Sequence, residues 1–482
     1  MKKTGLFNTI LLAFILLITF CSCNKKDTKE VVILTVNDMH ANLFNFPRFA
    51  YIVDSLRNIY PDMLLFSAGD NRTGYAYNDH YPDMPNLPMI ELMNKVGFDA
   101  GCLGNHEFDG NIEGLRHFIN DTDFPVVCAN KDFSKIKNLD IPSYIIIENQ
   151  GLKIGIVGLI ETTNNGFPSA HPKNLIDISF SDALETIKDY QFLDTLCDVF
   201  VILSHCGFEH DTVMARQFPY CDLIVGGHSH DLVKPATYNN VMITQSAYKL
   251  KYCTLIKLTV EDGEVTSKCG KIIKITPSLN ENEEVKSMVE RYCNNEGFKV
   301  VVGKTEKDIK GELTLGAFMT DAQRWMVNAD IAFQNYGGIR INNIPEGDIS
   351  IEQILDLDPF DNEIVTCDMT GRQVRDFIVI SSNADKGCTC VSGIKYKMKY
   401  DSERKQDKFY DAEVSLNNGS PIQDDKIYKV SMNSYMYSTM KFGHSGNVKE
   451  TGILTMEADI SYLKDKSPVN YSEEDRIIII EE

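Results

Sequence analysis

Aspartate, histidine and asparagine recur in five short stretches whose side chains suit divalent metal ions: Asp38-Met39-His40, Gly69-Asp70, Gly104-Asn105-His106-Glu107, Ser204-His205 and Gly227-His228-Ser229-His230. Five of the ten histidines fall inside these stretches. Carboxylate, imidazole and amide oxygen are ligands that hard and borderline ions accept, and a carboxylate placed between two ions can bridge them. No thiolate is needed. A histidine taken alone is more often a hydrogen-bonded core residue, so the signal lies in the ordered set. His80, His117, His171 and His444 stand outside it, and His210 lies near His205 beside Asp211, which is placed to cap a following helix.

The elements that must position these groups are legible as apolar runs. Residues 31–36 (VVILTV), 63–68 (MLLFSA), 199–203 (VFVIL) and 222–226 (DLIVG) each precede a stretch, and the less regular Ala100-Gly101-Cys102-Leu103 precedes the third. Side chains at the carboxyl ends of neighbouring strands converge in space. Between residues 31 and 276 such runs alternate with helical patterns, as at 49–59 and 181–195, which predicts an α/β fold with sheets inside and helices outside. Residues 277–284 then turn polar and acidic, and Asn280 or Asn282 is placed to cap a helix reaching Asn294. Beyond residue 298 the pattern is α+β, with a helix over 314–327.

A chain of 482 residues exceeds one core and fits two domains, and 43% hydrophobic with 24% charged residues is globular composition. A formal charge of -20 disfavours a nucleic-acid polymer as partner, since phosphate backbones demand clustered Lys and Arg. A small anionic substrate remains compatible, because bound cations reverse the local field. The start, Met1-Lys2-Lys3 followed by apolar residues 11–20 and Cys21-Ser22-Cys23, reads as a lipoprotein secretion signal with Cys23 as the lipidated first residue, the alternatives being an ordinary secreted protein or an uncleaved anchor. Removing Cys21 and committing Cys23 leaves an odd number of the thirteen cysteines, and no disulfide is assigned.

The ordered set, with Gly104-Asn105-His106-Glu107-Phe108-Asp109 intact, resembles the calcineurin-like metallophosphoesterases, in particular the exported 5'-nucleotidase branch. The resemblance implies a four-layer α/β/β/α metallophosphoesterase sandwich with a second α+β 5'-nucleotidase C-terminal domain. The layout is then a signal peptide at 1–22, a tether at 23–30, the catalytic domain at 31–276, a linker helix at 277–297, the substrate-recognition domain at 298–470 and a tail at 471–482. It further implies two divalent ions, Mn, Zn, Co or Fe. Asp38, His40, Asp70 and His230 would hold one, and Asp70, Asn105, His205 and His228 the other. A hydroxide shared by the ions would attack phosphorus. His106, oriented by Asp109, would face the phosphoryl group, with Glu107 supporting the loop.

In the second domain the resemblance carries Asn335, Arg340 and Phe360 to substrate contact, the Arg as a fork for anionic oxygens and the Phe as a stacking face. The chain also departs from the family pattern. Gly311-Glu312-Leu313-Thr314 lacks the family's leading Arg and has Thr for Asn, Ala41 replaces Gly or Ser, and the Gly-Gly-Asp-Gly turn is absent, leaving Tyr435 as the substitute aromatic. The implied function is hydrolysis of nucleoside 5'-monophosphates or related nucleotides by an exported, lipid-anchored enzyme of the cell envelope. Alternatives are a 2',3'-cyclic nucleotide phosphodiesterase or nucleotide-sugar pyrophosphatase, and, in another class, a surface ligand-binding protein with impaired catalysis.

Overall fold

A computed structural model describes residues 28–481, apart from 386, 405 and 472–474. The signal, Cys23 and most of the tether lie outside the described residues.

The first strand, β1 (Thr28–Val36), shows how the layers arise. Val31 and Ile33 point into a core shared with the second sheet, while Val32, Leu34 and Val36 point to a helical layer on the other face. Side chains alternate along a strand, so an unbroken apolar run is what a strand buried on both faces requires. The run Val199–His205 does the same: Val201 and Leu203 face the inter-sheet core, Phe200 and Ile202 the opposite helices.

Two six-stranded sheets result. In the first, Glu264–Lys274 and Tyr252–Glu261 pair antiparallel and lead to β1, which continues in parallel through β2 (Leu64–Ser67), β3 (Ala100–Cys102) and β4 (Val126–Val127). The second runs Leu232–Tyr238, Val241–Ser246, Leu223–Gly226, Val199–His205, Leu152–Ile160, Tyr144–Asn149, and its four middle strands are parallel. Helices Phe46–Arg57, Leu87–Val96 and Asn111–Asp121 cover the first sheet and Phe208–Gln217 the second, completing the α/β/β/α order. Parallel strands send every motif loop to one rim.

Helix Phe46–Arg57 starts earlier than the periodicity suggests, because Pro47 is tolerated in a first helical turn. The helix expected over 181–195 is broken into Ala183–Thr186, a 3-10 turn Ile187–Tyr190 and Phe192–Leu196. Its buried residues are Ala183, Ile187 and Leu193; the last step of six residues leaves the helical period, so the chain restarts its turn to bury Leu193. Asp211 is also corrected: it lies inside helix Phe208–Gln217, whose N-cap is Gly207, and accepts a hydrogen bond from Ser204 Oγ at 2.5 Å.

Helix Glu283–Tyr292 is capped by Asn282, whose side chain accepts from Val285 N. Its Val285, Val289 and Tyr292 join the first domain's helical core. The second domain is α+β: a five-stranded sheet ordered Cys390–Ser392, Ile331–Gln334, Ile427–Asn433, Glu363–Thr370, Gly446–Leu454, with helices Glu312–Val327 and Gly371–Ala384. The closing Ile run, read from sequence as a tail, is a strand. Ile477–Glu481 pairs in parallel with Ile394–Tyr400, which satisfies backbone groups along an edge that would otherwise be open. No helix among the described residues is long and apolar enough to cross a membrane.

Candidate active site

The loops that leave β1 and β2 pair with each other: Asp38 N donates to Gly69 O, His40 N to Asp70 O and Ala41 N to Asn71 O, at 2.9 to 3.0 Å. Glu107 ties the third loop to them. Its carboxylate accepts from Asp70 N, Asn71 N and Gly104 N at 3.0, 2.8 and 2.6 Å. This is the loop-supporting role the sequence suggested. Gly104 must be glycine for the loops to come this close, since a Cβ there would meet Asp70 Oδ1 at 2.2 Å.

The five motif stretches meet at one point. His205 Nε2 lies 3.1 Å from Asp70 Oδ2, and His230 Nε2 3.4 Å from Asp38 Oδ1. His40 Nε2 and His230 Nε2 are 2.9 Å apart, and His228 Nδ1 is 3.0 Å from Asn105 Oδ1. Asn105 is oriented by donating its amide to Ser169 O at 3.1 Å. Asp38, His40, Asp70 and His205 are buried.

The donor set fits cations. Ala68 O lies 2.7 Å from His205 Nδ1 and Thr73 O 3.0 Å from His40 Nδ1. A carbonyl only accepts, so in the neutral His205 ring Nδ1 carries the proton and Nε2 presents a lone pair to the cluster; at His40 the carbonyl favours the same tautomer, while Arg340 Nη2, a donor 3.3 Å from that nitrogen, opposes it. A lone pair facing a carboxylate at 3.1 Å requires a positive charge between them. Without an ion that charge is a proton: burial opposes it, Asp70 outweighs burial, and the His205 ring is pushed up to about 10. A divalent ion would take the proton's place. His228 behaves oppositely, since burial and then His205 press it down to about 3, leaving the neutral ring that ligates metals. Among the described residues, three groups have ligand atoms mutually within 4.8 Å: Asp38 with His40 and His230, Asp38 with Asp70 and His205, and His40 with Asp70 and His106.

Backbone conformation agrees. Asp38, His40, Asp70, His228 and His230 all have positive φ, at 47°, 45°, 52°, 76° and 59°. Such angles are uncommon for residues with a side chain and cluster where function over-determines the backbone. Here each sharp turn swings a side chain from its strand end toward the shared point.

His106 stands at the edge of the cluster. Its Nδ1 is 2.6 Å from Asp109 Oδ2, and its backbone N donates to Asp70 Oδ1 at 2.9 Å. Burial disfavours a charged ring, but Asp70 and Asp109 outweigh it and raise its basicity. Phe360, from the second domain, stacks on the His106 ring with centroids 5.9 Å apart. The Arg340 guanidinium lies 5.7 Å from the Phe360 ring, and its Nη2 is 3.3 Å from His40 Nδ1. Asn335 and Tyr435 line the same cleft, a space of about 2030 Å³ between the domains. The Asn335 amide oxygen is already engaged by Asn433 Nδ2 at 2.8 Å, so it sits in a network rather than free in the cleft.

Lys249 is a residue the sequence did not reveal. Its Nζ donates to Arg340 O at 3.0 Å, and its backbone N to Asp38 O at 2.7 Å, joining the second domain's arginine to the first domain's ligand loop. A lone lysine after a strand carries no recognisable signal.

A family model described as calcineurin-like phosphoesterase matches residues 31–232, and one for the 5'-nucleotidase C-terminal domain matches 299–442. The trifunctional nucleotide phosphoesterase protein YfkN of Bacillus subtilis is 28% identical over 471 residues, which cover 84% of this chain; the chain spans only 32% of that longer protein. A 5'-nucleotidase of Diplobatis ommata is 27% identical over 537 residues, with 94% of this chain and 90% of that protein covered. In fold, the crystal structure of a 5'-nucleotidase precursor from Thermus thermophilus superposes with a TM-score of 0.81 at 24% identity, over 94% of this chain and 99% of that one. Both domains, in this order and around this cleft, place the chain in the 5'-nucleotidase family of calcineurin-like phosphoesterases, as a metal-dependent phosphoester hydrolase.

Proposed function

We propose that the protein hydrolyses nucleoside 5'-monophosphates or closely related nucleotides, with two divalent ions held by Asp38, His40, Asp70 and His230 and by Asp70, Asn105, His205 and His228. The observation that carries this reading is the column formed by His106, Phe360 and Arg340, which places an aromatic face and a guanidinium beside the ligand cluster. That suits a phosphoryl group at one end and a base at the other. The ions, when bound, supply charge against the phosphoryl oxygens and make water nucleophilic at neutral pH. His106, kept basic by Asp70 and Asp109, donates a charged hydrogen bond to the phosphoryl oxygens or a proton to the leaving alkoxide. Arg340 and Phe360 orient the nucleoside. The relatives' printed names, nucleotide phosphoesterase and 5'-nucleotidase, support the substrate class.

Phosphate release from a nucleotide panel by metal-loaded protein, with chelator as control, tests the reading. Arg340→Ala and Phe360→Ala are expected to raise KM for nucleotides about 10-fold, the scale of a lost stacking contact. Hydrolysis of a small aryl phosphate should change little; equal effects on both substrates would assign these residues to the fold instead. One observation keeps a second reading in play: the cleft, at about 2030 Å³, exceeds the ordinary ligand-site range of about 300 to 1,000 Å³, so a nucleotide sugar, larger than a monophosphate, also has room. Inclusion of both in the panel separates them.

We further propose export and lipid attachment at Cys23. Cys23→Ala should abolish labelling by a radioactive fatty acid and shift the protein to the soluble fraction. Persistent labelling would transfer the role to Cys21.

A further inference from the structure

Arg72 follows Asp70 by two residues, and its side chain is buried at 4% exposure. Its Nε and Nη1 have no hydrogen-bond partner, and no carboxylate among the described residues pairs with it. The guanidinium lies against the first turn of helix Asn111–Asp121, where a Cβ on Gly110 would stand 2.0 Å from Nη1 and one on Gly114 3.2 Å. Two glycines thus leave a notch that the guanidinium fills. A buried, unpaired cation is expensive, and the positive pole of a helix N-terminus adds to the cost instead of offsetting it. Both are relieved by one thing, an anion. Arg72 also forms part of the wall of the active-site cleft, as does His80, whose Nε2 is likewise buried without a partner.

We propose that Arg72 is the centre of a second anion subsite beside the catalytic cluster, which takes the second phosphoryl group of a substrate that carries two. Nη1 packs against Gly110, the neighbour of Asp109, and the Cα atoms of Asp70 and Arg72 are at most about 7 Å apart, so the subsite lies within one nucleotide's reach of the reacting phosphoryl group. A guanidinium is the side chain best matched to phosphoryl oxygens, which it binds through paired N–H donors. The inference rests on the nucleotide-hydrolase reading and narrows it to substrates such as nucleoside diphosphates, bisphosphates or nucleotide sugars. The same phosphoryl chemistry could instead come from released inorganic phosphate.

The test compares kcat/KM for a nucleoside monophosphate and the corresponding diphosphate and 3',5'-bisphosphate in metal-loaded wild type, Arg72→Met and Arg72→Lys, together with product inhibition by inorganic phosphate. Arg72→Met is expected to lower kcat/KM at least 10-fold for one or both two-phosphoryl substrates and less than 3-fold for the monophosphate, with partial recovery in Arg72→Lys. Gly114→Asp is a second variant that leaves Arg72 in place: its carboxylate would pair with the guanidinium and should reproduce the selective loss. An equal loss on all substrates, or none, overturns the subsite. Weakened phosphate inhibition with unchanged substrate selectivity overturns it in favour of a product site. If wild type hydrolyses none of the nucleotides, the parent reading has failed, and the subsite is then judged by equilibrium dialysis of a labelled nucleoside monophosphate and diphosphate: a loss of affinity in Arg72→Met confined to the diphosphate supports it, and an equal change or none refutes it.

Discussion

Asp70→Asn is expected to cost about 10³-fold or more in metal-dependent phosphate release, the factor that about 4 kcal/mol of lost charge stabilisation represents. The protein should nonetheless fold. An Asn at this position keeps the acceptor that binds His106 N and can turn its amide toward His205 Nε2, 3.1 Å away, donating to the lone pair that otherwise faces a carboxylate. The substitution therefore satisfies the local hydrogen bonds while removing the charge proposed to lie between two ions. Elemental analysis should find metal lost from the folded variant, and its melting temperature in chelator should match or exceed that of wild type. Full occupancy with an undiminished rate would refute the bridging assignment. His228→Ala should behave alike in metal content, because it removes a neutral imidazole without altering Asp70.

His106→Ala is expected to lower turnover about 10²-fold or more, the usual scale for a positioned acid or electrostatic stabiliser, while metal content is kept. The distinction matters because His106 belongs to one of the clusters whose atoms could hold an ion, with His40 and Asp70. Its Nε2 is 3.9 Å from Asp70 Oδ2, farther than the 3.1 Å of His205. Its Nδ1 is committed to Asp109. Asp109→Asn should show a smaller loss in turnover with no loss of metal, since it removes the orienting charge but leaves the ring. A collapse of metal content in His106→Ala would make the residue a ligand and dissolve the proposed pair. Because Phe360 stacks on this ring, KM and kcat must be separated; a change in KM alone would indicate a lost binding surface.

How far the fold could be read from the chain depended on how local the governing physics is. Runs such as 31–36 and 199–203 are strands because alternate side chains must be buried on two faces, a condition visible within six residues. The helix capped by Asn282 was legible for the same reason, because cap and first turn are neighbours. The region 181–195 was not, since its breaks answer to where Leu193 finds the opposite sheet. Asp211 likewise looked like a cap until the hydroxyl of Ser204, brought in by a strand, claimed it. The closing Ile run has strand composition, but its partner lies some eighty residues earlier, and no local rule names that partner.

The site divides along the same line. The residue types, their order and their attachment to strand ends are properties of the sequence, and these alone determined that an Asp, His and Asn cluster of metal-binding character would form on a parallel α/β scaffold. Only the tertiary structure decided which ring nitrogen of His205 faces the cluster, because Ala68 O comes from another strand and imposes the tautomer. It also decided that Phe360 reaches His106 across the domain boundary, that Lys249 braces Arg340, and that Arg72 is buried beside two glycines with Nε and Nη1 unpartnered among the described residues. Ligand chemistry is carried by single side chains and their immediate neighbours, whereas tautomer, stacking and the pairing of a buried charge depend on atoms that chain connectivity does not bring together and packing does.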